Sequence, residues 1–435
     1  MPTLHWRGRD AVLDHHLLLP SRPLVDLAEL ALPGEPLHTL IEGDNLAAPA
    51  ALLPTLRGGV RCICTDPPYN TGGDGWVYHD GAGSPAQRAW LDRVVGRRDL
   101  DRHDRWLCLM WPRLALMAGL LAPDGVICVH IDDHELGHLL AVMDELFGEQ
   151  RRLAVFTWVR KRKGSNLSRE VRRTTEYVLV YKGSDQPAEL HGVPAYSDKA
   201  VPLLNRANRV TALHFPSGTL WAGSGLADGI LAGGGYGDGD LAVTVAGEVE
   251  LRDGRNASPA LLHGRWRWSQ ATVDDELAHG SRFTLSRTLR INVLRHGQAG
   301  RSKAPCTLLS GEDGIGTNED ASAELAAILG SDAPPFDFPK PLSLVEYLVG
   351  AVVRSDPTAI VLDPFAGSGT TGHAVMRLNA ADGGRRRCIL AQLGRDQAEG
   401  PHIAREITRE RLRHVVLGYG AVPGLAQGWT YQRLG

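Results

Sequence analysis

Apolar segments that alternate between strand-like and helix-like patterns constrain the fold of this chain most. Longer apolar-faced segments, such as 103–122 and 341–353, are typical of helices. Between them lie short runs rich in β-branched residues that end in polar loops, namely "LHTLIEGDN" (37–45), "VRCICT" (60–65), "VICVHID" (126–132) and "AIVLDPF" (359–365). Strands and helices that alternate in this way predict an α/β fold with a mostly parallel sheet covered on both faces.

The regular pattern is interrupted once along the chain. Residues 184–330 are irregular and rich in glycine, as in "AGGGYGDGD" (232–240). A chain of 435 residues has room for two or three domains, or for one large domain with an insertion. We therefore predict four segments, which are an N-terminal arm at 1–36, a first α/β half at 37–183, an insertion at 184–330 and a second α/β half at 331–435.

Composition argues against several classes of protein. The six cysteines are scattered without a CxxC pair, so neither a zinc ribbon nor a disulfide framework is expected. The N-terminus, "MPTLHWRGRD", lacks the pattern of a signal peptide. No apolar run approaches the ~20 residues that a membrane span needs. The expectation is a cytoplasmic protein that makes no membrane contact and whose net charge of −3 does not by itself attract a polyanion.

The segment "TDPPYNTG" (65–72) ends one predicted strand in a rigid turn. Proline fixes φ and has no N–H, so Pro67 and Pro68 stiffen the chain. Such a turn can be purely structural. Here, however, Asp66 adds a carboxylate, Pro67 a carbonyl oxygen and Tyr69 a flat ring. These groups match a planar base with an exocyclic amine, whose hydrogens would go to Asp66 and Pro67 while the ring stacks on Tyr69.

The segment "DPFAGSGTTGHAV" (363–375) has the pattern of a strand, a glycine loop and a helix. Gly367, Gly369 and Gly372 let the backbone turn tightly and approach a ligand, and the helix start offers free N–H groups. The loop lacks the lysine of a P-loop, and a dinucleotide fold would need a longer glycine pattern near its first strand. A nucleoside with a small charged tail fits better, S-adenosylmethionine (SAM) above all, although half of such loops only pack a strand against a helix.

Together the two loops resemble those of the DNA amino-methyltransferases, whose motifs are [DNS]PP[YFW] and the SAM-binding FxGxG. The first motif comes early and the second late, which is the β-group order. More closely, the chain resembles the modification subunit of type III restriction–modification systems and its solitary relatives. The resemblance covers about residues 38–418, but not much of 184–260, and includes "IEGDNL" (41–46), "HIDDHE" (130–135), "TEYVLVYK" (175–182), "GTNEDASAEL" (316–325) and "FDFPKPLSLVEYLV" (336–349).

The resemblance implies a Rossmann-like SAM-dependent methyltransferase fold. Its seven-stranded, mostly parallel sheet would be circularly permuted, which brings the two loops side by side. Residues 37–183 would form the catalytic half, 331–435 the SAM-binding half and 184–330 a target-recognition module. The implied reaction transfers a methyl group from SAM to the N6 amine of an adenine flipped out of double-stranded DNA. A homodimer and a restriction subunit in a separate chain are implied in the same way.

The resemblance also assigns roles to single residues. Lys340 and Pro341 would close over the methionine portion of SAM, and Asp44 would lie near its adenine. Gln392 stands where an acid commonly binds the ribose, which is a departure from the family pattern. The predicted catalytic residues are Asp66, Pro67, Pro68 and Tyr69, and the predicted SAM-binding residues are Asp44, Asn45, Lys340, Pro341, Asp363, Phe365, Ala366, Gly367, Ser368, Gly369, Thr370 and Gln392.

Positive charge for DNA contact is concentrated in one segment. Residues 151–182 hold ten Lys or Arg and two Glu, a local balance of +8. A run of this kind is otherwise a solvated face, but beside a flipped-base pocket we expect phosphate contacts. The motif "GRWRWS" (264–269) would either stack on DNA or pack in a small core. The predicted DNA-binding residues are Arg160, Lys161, Arg162, Lys163, Arg172, Arg173, Arg265, Trp266, Arg267 and Trp268.

Four alternatives stay open at the level of sequence. "HELGH" (134–138) fits the zinc signature HExxH, but Gly137 weakens the helix that this site needs and no third ligand is evident, so no metal is predicted. The target could be the N4 amine of cytosine, although serine is usual there in place of Asp66. The remaining alternatives are methylation of a protein glutamine and a non-catalytic DNA-binding subunit of the same fold.

Overall fold

The structure is a computed structural model of two compact units. Unit 1 comprises Met1–Gly192 with Ala304–Gly435, and unit 2 comprises Val193–Lys303. The residues described are 3–20, 22–72, 85–96, 101–163, 170–193, 200–223, 225–295, 302–333, 335–394 and 401–435. Arg169, one of the ten basic residues in the charged segment, lies outside them.

The first part of unit 1 alternates strands and helices as predicted. Helix α4 begins where the Asp101 carboxylate accepts hydrogen bonds from the backbone N–H groups of His103 and Asp104. The elements are α1 (Arg9–Val12), β1 (Leu24–Asp26), β2 (Glu35–Glu42), α2 (Ala47–Leu56), β3 (Val60–Thr65), α3 (Pro85–Val94), α4 (Arg102–Leu120), β4 (Leu121–Ile131), α5 (Leu136–Phe147), β5 (Arg152–Val159) and β6 (Thr175–Lys182).

Unit 2 is built from short strands around a core of its own. A seven-stranded and a four-stranded sheet enclose Phe215 and Phe283, whose ring centroids lie 5.3 Å apart. Its elements are β7 (Val201–Pro202), β8 (Thr211–Phe215), β9 (Leu220–Ala222), β10 (Gly229–Leu231), β11 (Gly234–Tyr236), β12 (Val243–Val245), β13 (Val249–Arg252), β14 (Arg255–Asn256), β15 (Ala260–Gly264), α6 (Gln270–Ala278), β16 (Arg282–Leu285) and β17 (Ile291–Leu294).

The last part of the chain returns to unit 1 earlier than predicted. Residues 304–330 were assigned to the insertion, but they form β18 and α7 of unit 1, because β18 pairs with β5. The elements are β18 (Leu308–Leu309), α7 (Asn318–Leu329), α8 (Leu342–Val353), β19 (Ile360–Asp363), α9 (Thr370–Asp382), β20 (Arg387–Gln392), a π-helical turn (Ile403–Thr408), α10 (Arg409–Leu417), β21 (Gly418–Tyr419), β22 (Val422–Pro423) and β23 (Gln427–Leu434).

The main sheet of unit 1 confirms the predicted fold class. Its strand order is β1-β23-β2-β20-β19-β3-β4-β6-β5-β18. The six consecutive strands from β23 to β4 all run parallel to one another. The described part of the chain contributes ten strands to this sheet, so the expected count of seven is corrected. Some of the extra strands are very short, such as β1 and β18, and carry no alternating apolar pattern that sequence could reveal.

One pair of parallel strands brings the two loops together, although they lie far apart in the chain. Strand β3 runs parallel to β19, with Cys62 opposite Val361 and Ile63 opposite Leu362. Parallel strands end at the same edge of a sheet, so the turn after β3 and the glycine loop after β19 are neighbours. Two motifs that lie some 300 residues apart in the chain therefore meet.

The predicted N-terminal arm is packed against unit 1. Val12 is fully buried, the Trp111 indole Nε1 donates to the Leu13 carbonyl at 3.1 Å, and β1 pairs with β23 at the sheet edge. The arm is thus an edge element of the sheet with its own core contacts. Across the ranges described, no helix combines the length and apolar character needed to cross a bilayer.

Two helical glycines should respond in opposite ways to replacement by alanine. A methyl group at Gly372 in α9 would lie 2.7 Å from the Trp429 ring and 2.9 Å from Leu412, whereas one at Gly137 in α5 would meet open space. We expect Gly372→Ala to lower the free energy of unfolding by ~1–3 kcal/mol through overpacking. Gly137→Ala should raise it by up to ~1 kcal/mol through helix propensity. Urea unfolding of both variants measures the contrast, and equal effects would contradict this packing.

Candidate active site

A cavity of about 370 Å³ opens at the edge of the sheet where β3, β4 and β19 end. The turn Asp66–Tyr69 lines one side and the loop Phe365–Ser368 lines another. Ligands in open α/β sheets bind at this edge, beyond the carboxyl ends of the strands. The two motifs that the sequence singled out therefore share one concave site.

Lys340 connects the two halves of this site. Its Nζ donates to Asp66 Oδ2 at 2.7 Å and lies 3.7 Å from Glu176 Oε2. The same ammonium group lies 4.9 Å from the centroid of the Tyr69 ring, within cation–π range. Burial by itself would lower the pKa of Lys340, but the carboxylates of Asp66 and Glu176 raise it above its ordinary value. Lys340 is therefore a charged group that contacts both Asp66 and Tyr69.

Glu176 is a site residue that sequence reasoning missed. It is 5% exposed, its Oε2 accepts from the Tyr69 hydroxyl at 3.2 Å, and its Oε1 lies 3.3 Å from Arg160. Burial raises its pKa, although Lys340 and Arg160 oppose that effect. The available signal was a single acid inside the apolar strand "TEYVLVY", where an unpaired charge would be costly.

The glycine loop takes the shape that its composition predicts. Gly367 and Gly369 have φ of 51° and 83°, in the left-handed region that favours glycine. The Gly367 N–H donates to Gln392 Oε1 at 2.8 Å, so Gln392 holds the loop from the end of β20. Gly372, which was expected to shape the loop, instead lies inside α9.

Asp363 anchors the start of the same loop. Its Oδ1 accepts from the Phe365 N–H at 3.0 Å and its Oδ2 accepts from the Thr371 hydroxyl at 2.6 Å. Burial raises its pKa from 3.8 to about 7, against the opposing effect of these two hydrogen bonds. Asp363 is therefore a buried loop-shaping carboxyl that also lines the cavity.

Arg411 supports the loop from below and was also missed. This guanidinium is 1% exposed, and its Nη1 donates to Ser368 Oγ at 3.1 Å and to Thr370 Oγ1 at 2.7 Å. Its NH2 lies 3.7 Å from Glu324, while burial lowers its pKa. In sequence it is one of several arginines in an amphipathic terminal helix, and nothing in that pattern distinguishes it.

Several predicted SAM-binding residues lie outside the cavity wall. Asp44 accepts from the backbone N–H groups of Leu46 and Ala47, and Asn45 accepts from Arg113 Nε at 2.6 Å. Both follow β2, which pairs with β20 near Gln392. Their role in binding the nucleoside stays a prediction, as does that of Pro341, Gly369 and Gln392, which also lie off the wall.

The cavity wall carries buried polar atoms that are free to bind a ligand. Among the residues described, Asp66 Oδ1 and both ring nitrogens of His130 have no hydrogen-bond partner. Burial lowers the pKa of His130 to about 4, so its ring is neutral. Buried polar groups are normally satisfied, and these atoms suit a polar ligand such as SAM or a nucleobase.

Some of the predicted DNA-binding residues of the charged segment form ion pairs within the protein, and others are exposed at its surface. Arg160 belongs to the buried charge network through Glu176, while Arg162 pairs with Asp320 at 2.9 Å and Arg173 with Asp133 at 3.6 Å. Lys163 and Arg172 are exposed at the surface. Lys161 and Arg173 also line the cavity. DNA contact by these residues stays a prediction.

The motif "GRWRWS" is mostly a structural part of unit 2. Trp266 is 3% exposed in the core, so the prediction that it stacks on DNA is wrong. The Trp268 ring packs edge-on against Phe283 at 6.2 Å. Arg265 and Arg267 donate to the carbonyls of Asn208 and Leu204. Arginine and tryptophan also pair elsewhere in unit 2. The guanidinium groups of the exposed Arg255 and Arg282 lie 3.5 Å and 4.1 Å from the ring centroid of the half-buried Trp221.

The HExxH arrangement does not form. His134 Nδ1 bonds Asp132 Oδ2 at 2.8 Å, away from Glu135 and His138. Helix α5 begins only at Leu136, after the first histidine. The two histidines of the motif therefore do not converge as a zinc-protease site requires.

Comparison with known proteins identifies the family. The DNA methylase family matches residues 60–410, so the chain belongs to that family. It is 31% identical over 403 residues to the Mod subunit of the type III restriction–modification enzyme StyLTI of Salmonella typhimurium, covering 87% of this chain and 57% of that protein. It is 29% identical to the type II methyltransferase M.KpnI of Klebsiella pneumoniae, covering 80% and 79% of the two chains.

The lengths of these relatives differ from that of this chain. The chain spans 57% of the StyLTI subunit and also 57% of the EcoPI Mod subunit of Escherichia phage P1, to which it is 28% identical. Among solved structures, an M1.HpyAVI–SAM complex is 13% identical, with a TM-score of 0.37, and the match covers 86% and 98% of the two chains. A likeness at that TM-score adds nothing to the assignment.

The raised pKa of Asp363 predicts a pH-dependent stability. The folded state keeps a proton that the unfolded chain loses above its ordinary pKa of 3.8. The contribution of the Asp363 carboxyl to the free energy of unfolding should therefore fall as the pH rises from about 4 to about 7. Asp363→Asn mimics the protonated form and does not titrate. The free energy of unfolding of the variant, relative to that of wild type, should therefore rise by on the order of 2 kcal/mol from pH 5 to pH 8. Urea unfolding at both pH values tests this, with the exposed Asp332→Asn as control, and parallel profiles for Asp363→Asn and wild type would refute it.

Proposed function

We propose that this protein is a site-specific DNA methyltransferase that transfers a methyl group from SAM to the N6 amine of a flipped-out adenine. The proposal rests on one observation. The Asp66–Tyr69 turn and the Phe365–Ser368 loop meet at one cavity through the pairing of β3 with β19. Membership of the DNA methylase family and the Mod subunits among the relatives support it.

The chain's own residues would work by positioning the amine. The lone pair of an adenine N6 amine is delocalised into the ring, and an ordinary aspartate is too weak a base to deprotonate it. Hydrogen bonds from the amine to Asp66 and to the Pro67 carbonyl would favour a pyramidal nitrogen with its lone pair directed at the methyl donor. When bound, SAM supplies the electrophilic methyl group. The methylated nitrogen would carry a positive charge and be far more acidic than the neutral amine, so its surplus proton would pass to Asp66 and from there to solvent.

Lys340 must move before a base can take this position. Its ammonium group occupies Asp66 Oδ2 and one face of Tyr69, which are the groups that the base would use. Glu176 Oε2 lies 3.7 Å away and offers a second anionic partner. We infer that Lys340 exchanges Asp66 for Glu176 when a base enters, so that the ion pair keeps the empty site ordered without blocking it permanently.

The residues around the glycine loop fit the cofactor role. Gln392 and Arg411 fix the loop, and the unpartnered atoms of Asp66 and His130 lie along the cavity wall.

Mapping of the modified base tests the proposal directly. Methyl transfer from labelled SAM to unmethylated DNA, followed by nucleoside analysis, should give N6-methyladenine. Label in N4-methylcytosine would show the alternative target. Transfer to no DNA at all, with SAM binding intact, would indicate a non-catalytic subunit or another substrate.

Tyr69 should be required for methylation but not for cofactor binding. Tyr69→Ala removes the stacking surface, so methylation should fall by at least ~100-fold while SAM affinity stays within a few fold. Tyr69→Phe keeps the ring and loses only the hydroxyl contact with Glu176, and it should retain most of the activity. Rates under single turnover and SAM titrations separate the two effects, and undiminished methylation by Tyr69→Ala would rule out the assigned role.

The exposed basic residues should contribute to DNA affinity through phosphates. Each phosphate contact adds about 0.9 to the slope of log K against log salt. Lys163→Ala with Arg172→Ala should therefore flatten that slope by about 2 and weaken binding regardless of DNA sequence. Arg385→Ala is the control, because Arg385 is exposed, pairs with Glu35 and lies just before β20, at the amino-terminal ends of the parallel strands and so away from the cavity. An unchanged slope in the double variant would remove these residues from the interface.

Target recognition and partners complete the proposal. We propose that unit 2 contacts DNA and that the surface of Trp221, Arg255 and Arg282 takes the role first assigned to Trp266. The names of the type III relatives suggest a restriction subunit in a separate chain as a partner, and a second copy of this chain is proposed from the β-group resemblance alone.

A further inference from the structure

A cluster of two histidines and one glutamate lies directly behind the catalytic turn. His103 Nδ1 is 2.8 Å from Glu135 Oε1, and His138 Nδ1 is 2.7 Å from Glu135 Oε2. One ligand atom from each of the three residues lies within 4.8 Å of the others. His103 comes from the start of α4, whereas Glu135 and His138 flank the start of α5. The cluster therefore contains Glu135 and His138 of the HExxH motif, and His103 takes the place of the first histidine of the motif, His134.

The carboxylate of this cluster is fully buried without an arginine or lysine partner among the described residues. Glu135 is 0% exposed, while His103 and His138 are 32% and 36% exposed. No Lys or Arg side chain among the described residues is in ion-pair contact with Glu135, whereas Glu176 has two cationic partners. A buried carboxylate is stable only when it is paired or bound to a metal. The accessible side of the cluster is open to solvent through the two imidazoles.

The donor set matches a transition-metal site. Two imidazoles and one carboxylate are a ligand set found in zinc sites that keep a fourth position for water. Ligand atoms at zinc distances are separated by about 3.3 Å. Each imidazole would therefore move back from its own carboxylate oxygen by about half an ångström, while the three ligand atoms, which now lie within 4.8 Å of one another, would draw together around the ion. Both histidines are about one-third exposed, and Arg102 Nε lies 3.3 Å from Nε2 of His103, on the side of the ring away from Glu135. Imidazole ligands favour zinc and its transition-metal neighbours over magnesium or calcium.

We propose that His103, Glu135 and His138 bind a divalent transition-metal ion of the zinc type. Asn70 connects this site to the catalytic turn, because its Nδ2 donates both to Glu135 Oε1 and to the Arg102 carbonyl. Asn70 directly follows Tyr69 and has a left-handed φ of 61° that needs support. The ion would neutralise Glu135 and fix it as the acceptor for Asn70. Its role is therefore structural, and it does not take part in methyl transfer.

Metal titration of the full chain tests the proposal. The protein is purified without a histidine tag, stripped with a chelator and titrated with Co²⁺ and then Zn²⁺. We expect one ion per chain, visible d–d absorption from Co²⁺ and its loss as Zn²⁺ displaces it. His103→Ala and His138→Ala should each weaken Zn²⁺ binding by more than ~100-fold, beyond the usual effect of outer-shell partners. Zn²⁺ should also raise the melting temperature of wild type but not of these variants.

Three controls distinguish loss of metal binding from loss of folding, and none of them depends on methylation activity. His279→Ala removes a histidine that lies near a carboxylate in unit 2, with Asp275 at 3.5 Å, and should leave the titration unchanged. Melting curves without metal show whether each variant is folded. Glu135→Gln can still accept a hydrogen bond from Asn70, so it separates loss of the anionic ligand from loss of that contact. Absence of saturable one-to-one binding, or equal binding by a folded His103→Ala/His138→Ala variant, would overturn the proposal.

Discussion

The parallel pairing of β3 with β19 is the contact on which the site depends. Each strand ends in a loop that has no evident function alone, since one is a stiff turn and the other a glycine loop. Their register, with Ile63 opposite Leu362, brings Asp66 and Gly367 to the same edge of the sheet. The shared cavity then follows, because parallel strands present all their carboxyl ends at one edge.

A buried network of charge makes this juxtaposition specific. Lys340 comes from the segment before α8, Asp66 from the turn after β3 and Glu176 from β6, so the network joins three parts of unit 1. A single unpaired member would be costly to bury. The network therefore favours the assembled site over arrangements in which the halves are displaced, and it gives Lys340 a second anionic partner, Glu176, besides Asp66.

Much of the site could be predicted from sequence because it is local. The turn at Asp66–Tyr69 and the loop at Phe365–Gly369 are each set by prolines or glycines within a few residues. Residues that act across the fold were harder to find. Glu176 and Arg411 belong to the site through partners more than 40 residues away, and Trp266 has the same local pattern whether it is buried or exposed. Burial decided against a DNA contact for Trp266, and the sequence alone had left both outcomes open.

Sequence by itself determined the α/β class, the two loops and their order, because periodicity, proline and glycine act over short distances along the chain. Tertiary structure decided which distant groups meet. It showed that Lys340 contacts Asp66, that the insertion ends at residue 303 instead of 330, and that Glu135 lies between His103 and His138 in place of an HExxH site. The physical reason is that burial and charge pairing depend on positions in space, which the spacing of residues along the chain does not encode.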